Sequence, residues 1–198
     1  RANGPNIMPG YYNDPQKTAE AFDNEGYFVT GDAMVFVDPA NANAGMRLDG
    51  RISEDFKLLT GTWVRATALR MSLLGHFAPL AADVVITGQD KSDIGVLIFP
   101  NKEAVEAAGH ALDDVDGMLS DQSLLNVLQD RLAVWNVEHA SSSMRIARAA
   151  FLAEPASLVD AEITAKGNLN FRKVLQRRAA ILDHLYTRSH DAVIALQD

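Results

Sequence analysis

Two neighbouring runs decide how the rest of the chain is read: Gly26-Tyr27-Phe28-Val29-Thr30-Gly31-Asp32, and Asp49-Gly50-Arg51-Ile52-Ser53-Glu54-Asp55-Phe56-Lys57-Leu58-Leu59-Thr60-Gly61. An apolar strand over 27–29 ends in the Thr30-Gly31-Asp32 turn, and a second apolar run covers 33–38. Met46 to Asp49 then leads into a turn at Asp49-Gly50, followed at once by Arg51. A carboxylate after one strand and a guanidinium after the next form a workable grip on a nucleotide. Asp32 would accept from ribose hydroxyls, and Arg51 would donate to ribose or phosphate oxygens. Turns also favour Asp and Gly for backbone reasons, so a purely structural reading stands beside this one.

Composition narrows the function classes. The 198 residues carry a net charge of −8, which argues against a nucleic-acid-binding surface, since those are usually basic. A hydrophobic share of 47% against 22% charged residues is enough to build a globular core. The chain has no cysteine, which excludes disulfides, thiolate catalysis and Cys-ligated zinc; a reducing compartment such as the cytoplasm fits. No apolar run is long enough for a membrane span. The opening Arg1-Ala2-Asn3-Gly4 has neither an initiator Met nor an apolar signal core, and reads as the interior of a longer protein.

Outward from the two runs, the pattern is mixed. Asp14-Pro15 starts a helix over 15–22, with Asp as N-cap and Pro at the first helical position. Residues 39–45 form a loop of small residues. Residues 56–64 read as a hairpin with Gly61 in its turn, and a helix over 65–75 places Leu69, Leu73 and Leu74 on one face before Gly75 ends it. Strands over 84–87 and 95–99, joined by the polar turn 88–93, predict an antiparallel pair. Asn101 caps a helix ending at Gly109. Asp113, Asp114 and Asp116 form an acidic loop that lacks the regular ligand spacing of a calcium loop. Helix 121–137 is amphipathic through Leu124, Leu128, Leu132 and Trp135. His139 lies near three serines, but the chain has no Gly-x-Ser-x-Gly elbow, so these read as a helix end and a turn. A strand over 145–153 and a final helix over 169–187 complete the chain. Phe171, Val174, Leu175, Leu182 and Leu185 make the buried stripe of that helix. Arg172, Lys173, Arg177 and Arg178 fall mostly off it, as a solvated face or one that meets coenzyme phosphates.

Thr30-Gly31-Asp32 after an aromatic pair, Gly50-Arg51 and Lys57 together resemble the adenylate-forming acyl-CoA ligase superfamily. The upstream Gly4-Pro5-Asn6-Ile7-Met8-Pro9-Gly10-Tyr11 is similar to the Gly-Pro-x-x-Met-x-Gly-Tyr run of that family. The spelling Glu54-Asp55-Phe56-Lys57-Leu58-Leu59-Thr60-Gly61-Thr62-Trp63-Val64 most resembles feruloyl-CoA synthase and related acyl-CoA synthetases.

The resemblance implies an α+β fold: a small mixed or antiparallel sheet with flanking helices, the mobile carboxy-terminal lid (51–198). A β-rich end of the large adenylation domain (1–50) would precede it, and the rest of that domain would be a missing partner. It implies activation of a carboxylic acid, aromatic such as ferulate or fatty, by ATP with Mg2+, then transfer of the acyl group to coenzyme A. It assigns Asp32 and Arg51 to nucleotide binding, Lys57 to the adenylate, Gly61 and Trp63 to the pantetheine tunnel, and Ser53 and Glu54 to the hinge. The late lysine departs from the family's Thr-x-Ser/Thr-Gly-Lys: here Thr164-Ala165-Lys166-Gly167-Asn168 puts Asn after the glycine and the lysine before it. A slide of two residues moves a loop atom by about 6–7 Å, within a lysine's reach, so Lys166 is the candidate for the adenylation cation; failing it, Lys173 or no lysine fills the role and adenylation would be slow or lost. A non-catalytic binding module derived from such an enzyme is the rival reading.

Overall fold

The computed structural model describes residues 1–187 and 190–196, without the side chain of Ser53. The chain divides into two compact units, Arg1–Ser53 and Glu54–Asp198.

In the first unit, helix α1 (Pro15–Ala21) begins where Asp14 accepts from the Lys17 N–H at 2.9 Å, the expected cap. The expected strand over 27–29 shrinks to isolated bridges from Phe28 to Ala2 and Phe22. Strands β1 (Asp32–Phe36) and β2 (Met46–Arg51) form an antiparallel hairpin around a loop that contains a 3-10 turn, Ala42–Ala44. Asp49-Gly50 is not the turn that its composition predicts. It lies inside β2, at a register shift where Asp32 faces Arg51 but Met34 faces Leu48. Gly50 takes φ +110°, open to glycine and strained for other residues. The bulge is what brings Asp32 and Arg51 opposite each other.

The second unit has the fold that the resemblance implies. Its elements are β3 (Phe56–Lys57), β4 (Trp63–Val64), α2 (Ala66–Phe77), β5 (Ala81–Thr87), β6 (Ile94–Pro100), α3 (Lys102–Ala107), β7 (Asp114–Val115), β8 (Met118–Leu119), α4 (Gln122–Glu138), β9 (Ile146–Phe151), α5 (Phe171–Arg177), α6 (Ala179–Thr187) and β10 (Ile194–Ala195). The main sheet runs β10-β9-β6-β5, with β5 and β6 antiparallel, β6 and β9 parallel, and β9 and β10 antiparallel.

Every residue of β6 is buried, as expected for a central strand covered on both faces. Alternation separates the two faces. Val84, Ile86, Val96, Ile98 and Phe151 pack with Leu69, Leu73 and Phe77 of α2 and with Leu124, Leu128, Leu132 and Trp135 of α4. Val85, Leu97, Phe99, Ala150 and Leu152 pack with Val174 of α5 and with Ile181 and Leu185 of α6.

Two helix expectations need correction. Gly75 does not end α2, which continues to Phe77 because that ring is buried in the core. The final helix is broken at Arg178, which leaves the helical region at φ −97°, ψ 31°. Arg178 is not on a solvated face either. It is 4% exposed, on the same stripe as Val174, Ile181 and Leu185.

Candidate functional site

In the first unit, the Arg51 Nε lies 3.5 Å from the Asp32 Oδ1. Two-thirds of the guanidinium side chain is exposed and a third of the carboxylate's. The Asp32 N–H is turned back to the Thr30 hydroxyl at 3.2 Å, and the Ile52 N–H donates to the Gly31 carbonyl at 2.9 Å. A carboxylate and a guanidinium therefore stand side by side on one hairpin, held by backbone bonds on either flank, with both side chains partly exposed.

At the start of the second unit, Glu54 and Asp55 are tied to the first turn of α2. The Thr67 hydroxyl donates to Glu54 Oε2 at 2.6 Å, and the Ala66 N–H donates to Asp55 Oδ1 at 3.1 Å. The N-cap residue itself, Arg65, makes no side-chain capping bond, so Asp55 supplies the cap from eleven residues upstream. Burial raises the Asp55 carboxyl above its ordinary range; the neighbouring Glu54 charge adds to this and the Ala66 N–H opposes it. Ser53 lies in the 3-10 turn Ile52–Glu54, its side chain outside the described part.

The hairpin of β3 and β4 pairs Phe56 with Val64 and Lys57 with Trp63. Its turn closes through the Gly61 N–H to the Leu58 carbonyl at 2.9 Å. Gly61 has φ +84°, and a Cβ there would meet nothing within 4 Å. Backbone conformation alone therefore demands the glycine, and the space above it is open. The Lys57 ammonium is 5.7 Å from the Trp63 ring, and Trp63 is half-exposed. The hairpin is fastened to the turn between β5 and β6: the Leu59 N–H donates to the Lys91 carbonyl at 2.8 Å and the Asp90 N–H to the Lys57 carbonyl at 3.4 Å.

That turn is itself anchored by residues the sequence reading passed over. Arg148 of β9, buried, grips Asp93 in a two-pronged ion pair at 2.8 and 2.6 Å and donates to the Leu185 and Tyr186 carbonyls at the end of α6. The Tyr186 hydroxyl shares a 2.8 Å bond with Thr87 and donates to the Asp93 carbonyl at 3.3 Å. Burial pushes this phenol up to about 12.

Lys166 lies elsewhere in the unit. It sits exposed in a tight turn whose base is the bridge between Ile163 and Leu169. The Thr164 N–H donates to the Asn168 carbonyl at 2.8 Å, and the Gly167 N–H donates to the Thr164 carbonyl at 2.9 Å. The Asn168 N–H is turned back to the Thr164 hydroxyl at 3.2 Å. Lys166 thus occupies the turn, while Asn168 stands at its foot.

Beneath this turn lies a second buried ion pair. Glu162, fully buried, accepts from Arg178 at 2.9 and 3.0 Å and from the Ser157 N–H at 2.8 Å. Burial acts to raise the Glu162 carboxyl, but the bonds from Arg178 and Ser157 and the nearby guanidinium charges outweigh it and hold it below the usual range. The guanidinium of Arg178 lies 5.1 Å from the Phe99 ring near the end of β6. Arg177 bonds Glu154 and Asp160 at 3.1 Å each. Arg178 is buried and Arg177 is paired with Glu154 and Asp160, while Arg172 and Lys173 stay exposed on α5. A local signal for Arg178 existed: positions 174, 178, 181 and 185 share one helical face.

The two lysine-bearing segments therefore attach at opposite ends of β6. The Lys57 hairpin is fastened to the turn just before Ile94, and the Lys166 loop is rooted beside Phe99. About 17 Å of strand separates the attachments.

A model of the AMP-binding enzyme C-terminal domain matches residues 54–190, most of the chain. The chain belongs to this adenylate-forming family. Two Arabidopsis thaliana proteins are similar over 94% of it: the one named "probable acyl-activating enzyme 16, chloroplastic", 26% identical, and the long-chain-fatty-acid–[acyl-carrier-protein] ligase AEE15, 24% identical. The chain spans about a quarter of the length of these curated relatives, 26% and 25%. The adenylation domain of a carboxylic acid reductase from Segniliparus rugosus shares the fold, with a TM-score of 0.69 at 23% identity over 93% of this chain and 27% of that one. The family domain begins at Glu54, the residue with which the second compact unit also begins. Among the described residues, no helix is long and apolar enough to cross a membrane.

Proposed function

We propose that the chain is the carboxy-terminal portion of an AMP-forming acid–thiol ligase. A carboxylic acid, aromatic such as ferulate or a fatty acid, attacks the α-phosphorus of ATP to give an acyl-adenylate and pyrophosphate. The thiol of coenzyme A then displaces AMP. The observation that carries this reading is the placement of the two lysine-bearing segments at opposite ends of β6. One bound adenylate meets them in turn if the unit from Glu54 onward pivots at Ser53–Glu54, and domain closure of that kind lets one site run two steps.

In this reading Lys166 serves adenylation, where two anions approach and a cation at the reacting centre lowers the barrier. Asp32 and Arg51 hold the ribose. Lys57 faces the adenylate in the second step, and pantetheine runs over the open face of Gly61 beside Trp63. Residues 1–50 complete the large adenylation domain, and residues 51–198 form the lid. The missing cysteine suits a reducing compartment such as the cytoplasm. The magnesium that accompanies ATP finds no ligand set here: among the described residues, no group of three or more His, Asp or Glu side chains is placed to hold a metal ion.

Replacing Lys166 with Ala in the full-length enzyme should slow acid-dependent pyrophosphate release by about 10²–10³-fold. Thioester formation from preformed acyl-adenylate should be spared. An unchanged adenylation rate removes Lys166 from the reaction. The rival, a non-catalytic module, draws on Asn168 standing where the family pattern has lysine. It predicts no pyrophosphate release from the full-length protein with ferulate or palmitate.

A further inference from the structure

We infer that Glu162 and Arg178 are positioning residues for Lys166, a buried ion pair that sets where the adenylation lysine points. The inference rests on the reading just given.

The segment from Glu154 to Asn170 joins β9 to α5 with little regular structure of its own. A lysine on such a segment would sample many positions, and ordering it costs backbone entropy. Glu162 gathers the segment at one point. Its side chain accepts from the Ser157 N–H and from Arg178, its N–H donates to the Ser157 carbonyl at 2.9 Å, and its carbonyl accepts from the Asn170 N–H at 2.8 Å. Arg178 also donates to the Pro155 carbonyl at 3.0 Å, so both ends of the segment close on the same pair. The turn that carries Lys166 begins one residue after Glu162, at the Ile163–Leu169 bridge.

Packing alone does not call for charge here. A buried ion pair is weak evidence for stability, and hydrophobic residues of similar volume often do as well. What the pair adds is direction. A planar fork on a carboxylate fixes distance and angle together, which apolar contacts do not. Arg178 is in turn held by the sheet, over Phe99. The break between α5 and α6 falls at this residue. A continuous line of fixed contacts therefore runs from the core of the unit to the base of the lysine turn.

The test uses the full-length enzyme with ferulate and palmitate as probe acids, following each half-reaction separately. Glu162→Gln should slow pyrophosphate release by about 10²-fold, as expected for a displaced catalytic group, while thioester formation from preformed acyl-adenylate changes less than about twofold. In a Lys166→Ala background, adding Glu162→Gln should change the residual adenylation rate by less than about twofold, because the two residues act as one unit. Equal slowing of both half-reactions, or multiplication of the two effects, overturns the inference. Should Glu162→Gln fail to fold, Arg178→Lys keeps the charge and loses the fork. It should give the same split at about tenfold.

A readout independent of activity is tryptic cleavage after Lys166 in the 198-residue chain, followed by mass spectrometry. It should rise about tenfold in Glu162→Gln at a temperature where the fold persists, since local opening controls such cleavage. An unchanged cleavage rate overturns the inference. The two failures are distinct: no pyrophosphate release from the full-length wild type sinks the ligase reading, whereas Lys166→Ala abolishing adenylation with Glu162→Gln sparing it sinks only the positioning role.

Discussion

The two ends of β6 use one device in two settings. At the Lys57 end, Arg148 projects from a strand onto Asp93 in the turn between β5 and β6, and it keeps two helix-end carbonyls as further partners. At the Lys166 end, Arg178 sits in a helix break and Glu162 in irregular chain, and the carboxylate is fully buried. The first pair reinforces a turn that the β5–β6 ladder already holds. The second closes a segment that no ladder holds. The same chemistry is supplementary at one end and principal at the other, because the backbone around it differs.

Removing the carboxylates gives the largest expected contrast. Glu162→Ala leaves Arg178 buried with the Pro155 carbonyl but no carboxylate and should cost about 3–5 kcal/mol in chemical denaturation of the chain. Asp93→Ala leaves Arg148 its two carbonyl partners and removes a carboxylate that is itself partly exposed, and should cost about 1–3 kcal/mol. Equal losses would erase the distinction between the two ends.

A smaller effect belongs to the Lys57 end alone. The phenol of Tyr186 titrates at about 12 in the fold and about 10 in an unfolded chain. The neutral form is favoured by folding, so stability is full below pH 10 and falls as pH rises from 10 through 12, by up to about 2.7 kcal/mol. Tyr186→Phe should remove that alkaline slope. Denaturation midpoints measured between pH 9 and about 12 read the difference directly.

The acid side belongs to the Lys166 end and is the smallest. The Glu162 carboxyl titrates below its ordinary value in the fold, so its contribution is present above the unfolded value of 4.5 and is lost as pH falls through the folded one. Glu162→Gln should flatten the acid limb of the stability profile below pH 4.5. A wild-type acid limb in the Gln variant would mean that other carboxylates govern it.

Much of the fold was legible because its signals are local. Asp14, Asn101 and the four-turn stripe of α4 mark helices through contacts three or four residues apart. The runs around 84–87 and 95–99 state a hairpin through their apolar residues and the polar turn between them. The site was legible only as a set of separate pieces. Asp32 and Arg51 were picked out by composition, yet a bulge at Gly50 rather than a turn brings them together. Reach alone favours Lys166 as the cation near the Asn168 position, and its place in the turn follows from bonds at Thr164.

From the sequence alone came the order of the elements, the caps, the apolar stripes and the family resemblance, all carried by residues close together in the chain. Only the tertiary structure decided that Arg178 turns inward to Glu162 and Arg148 to Asp93. Those partners stand 16 and 55 residues apart, and whether a charged side chain is buried depends on what lies across from it in space.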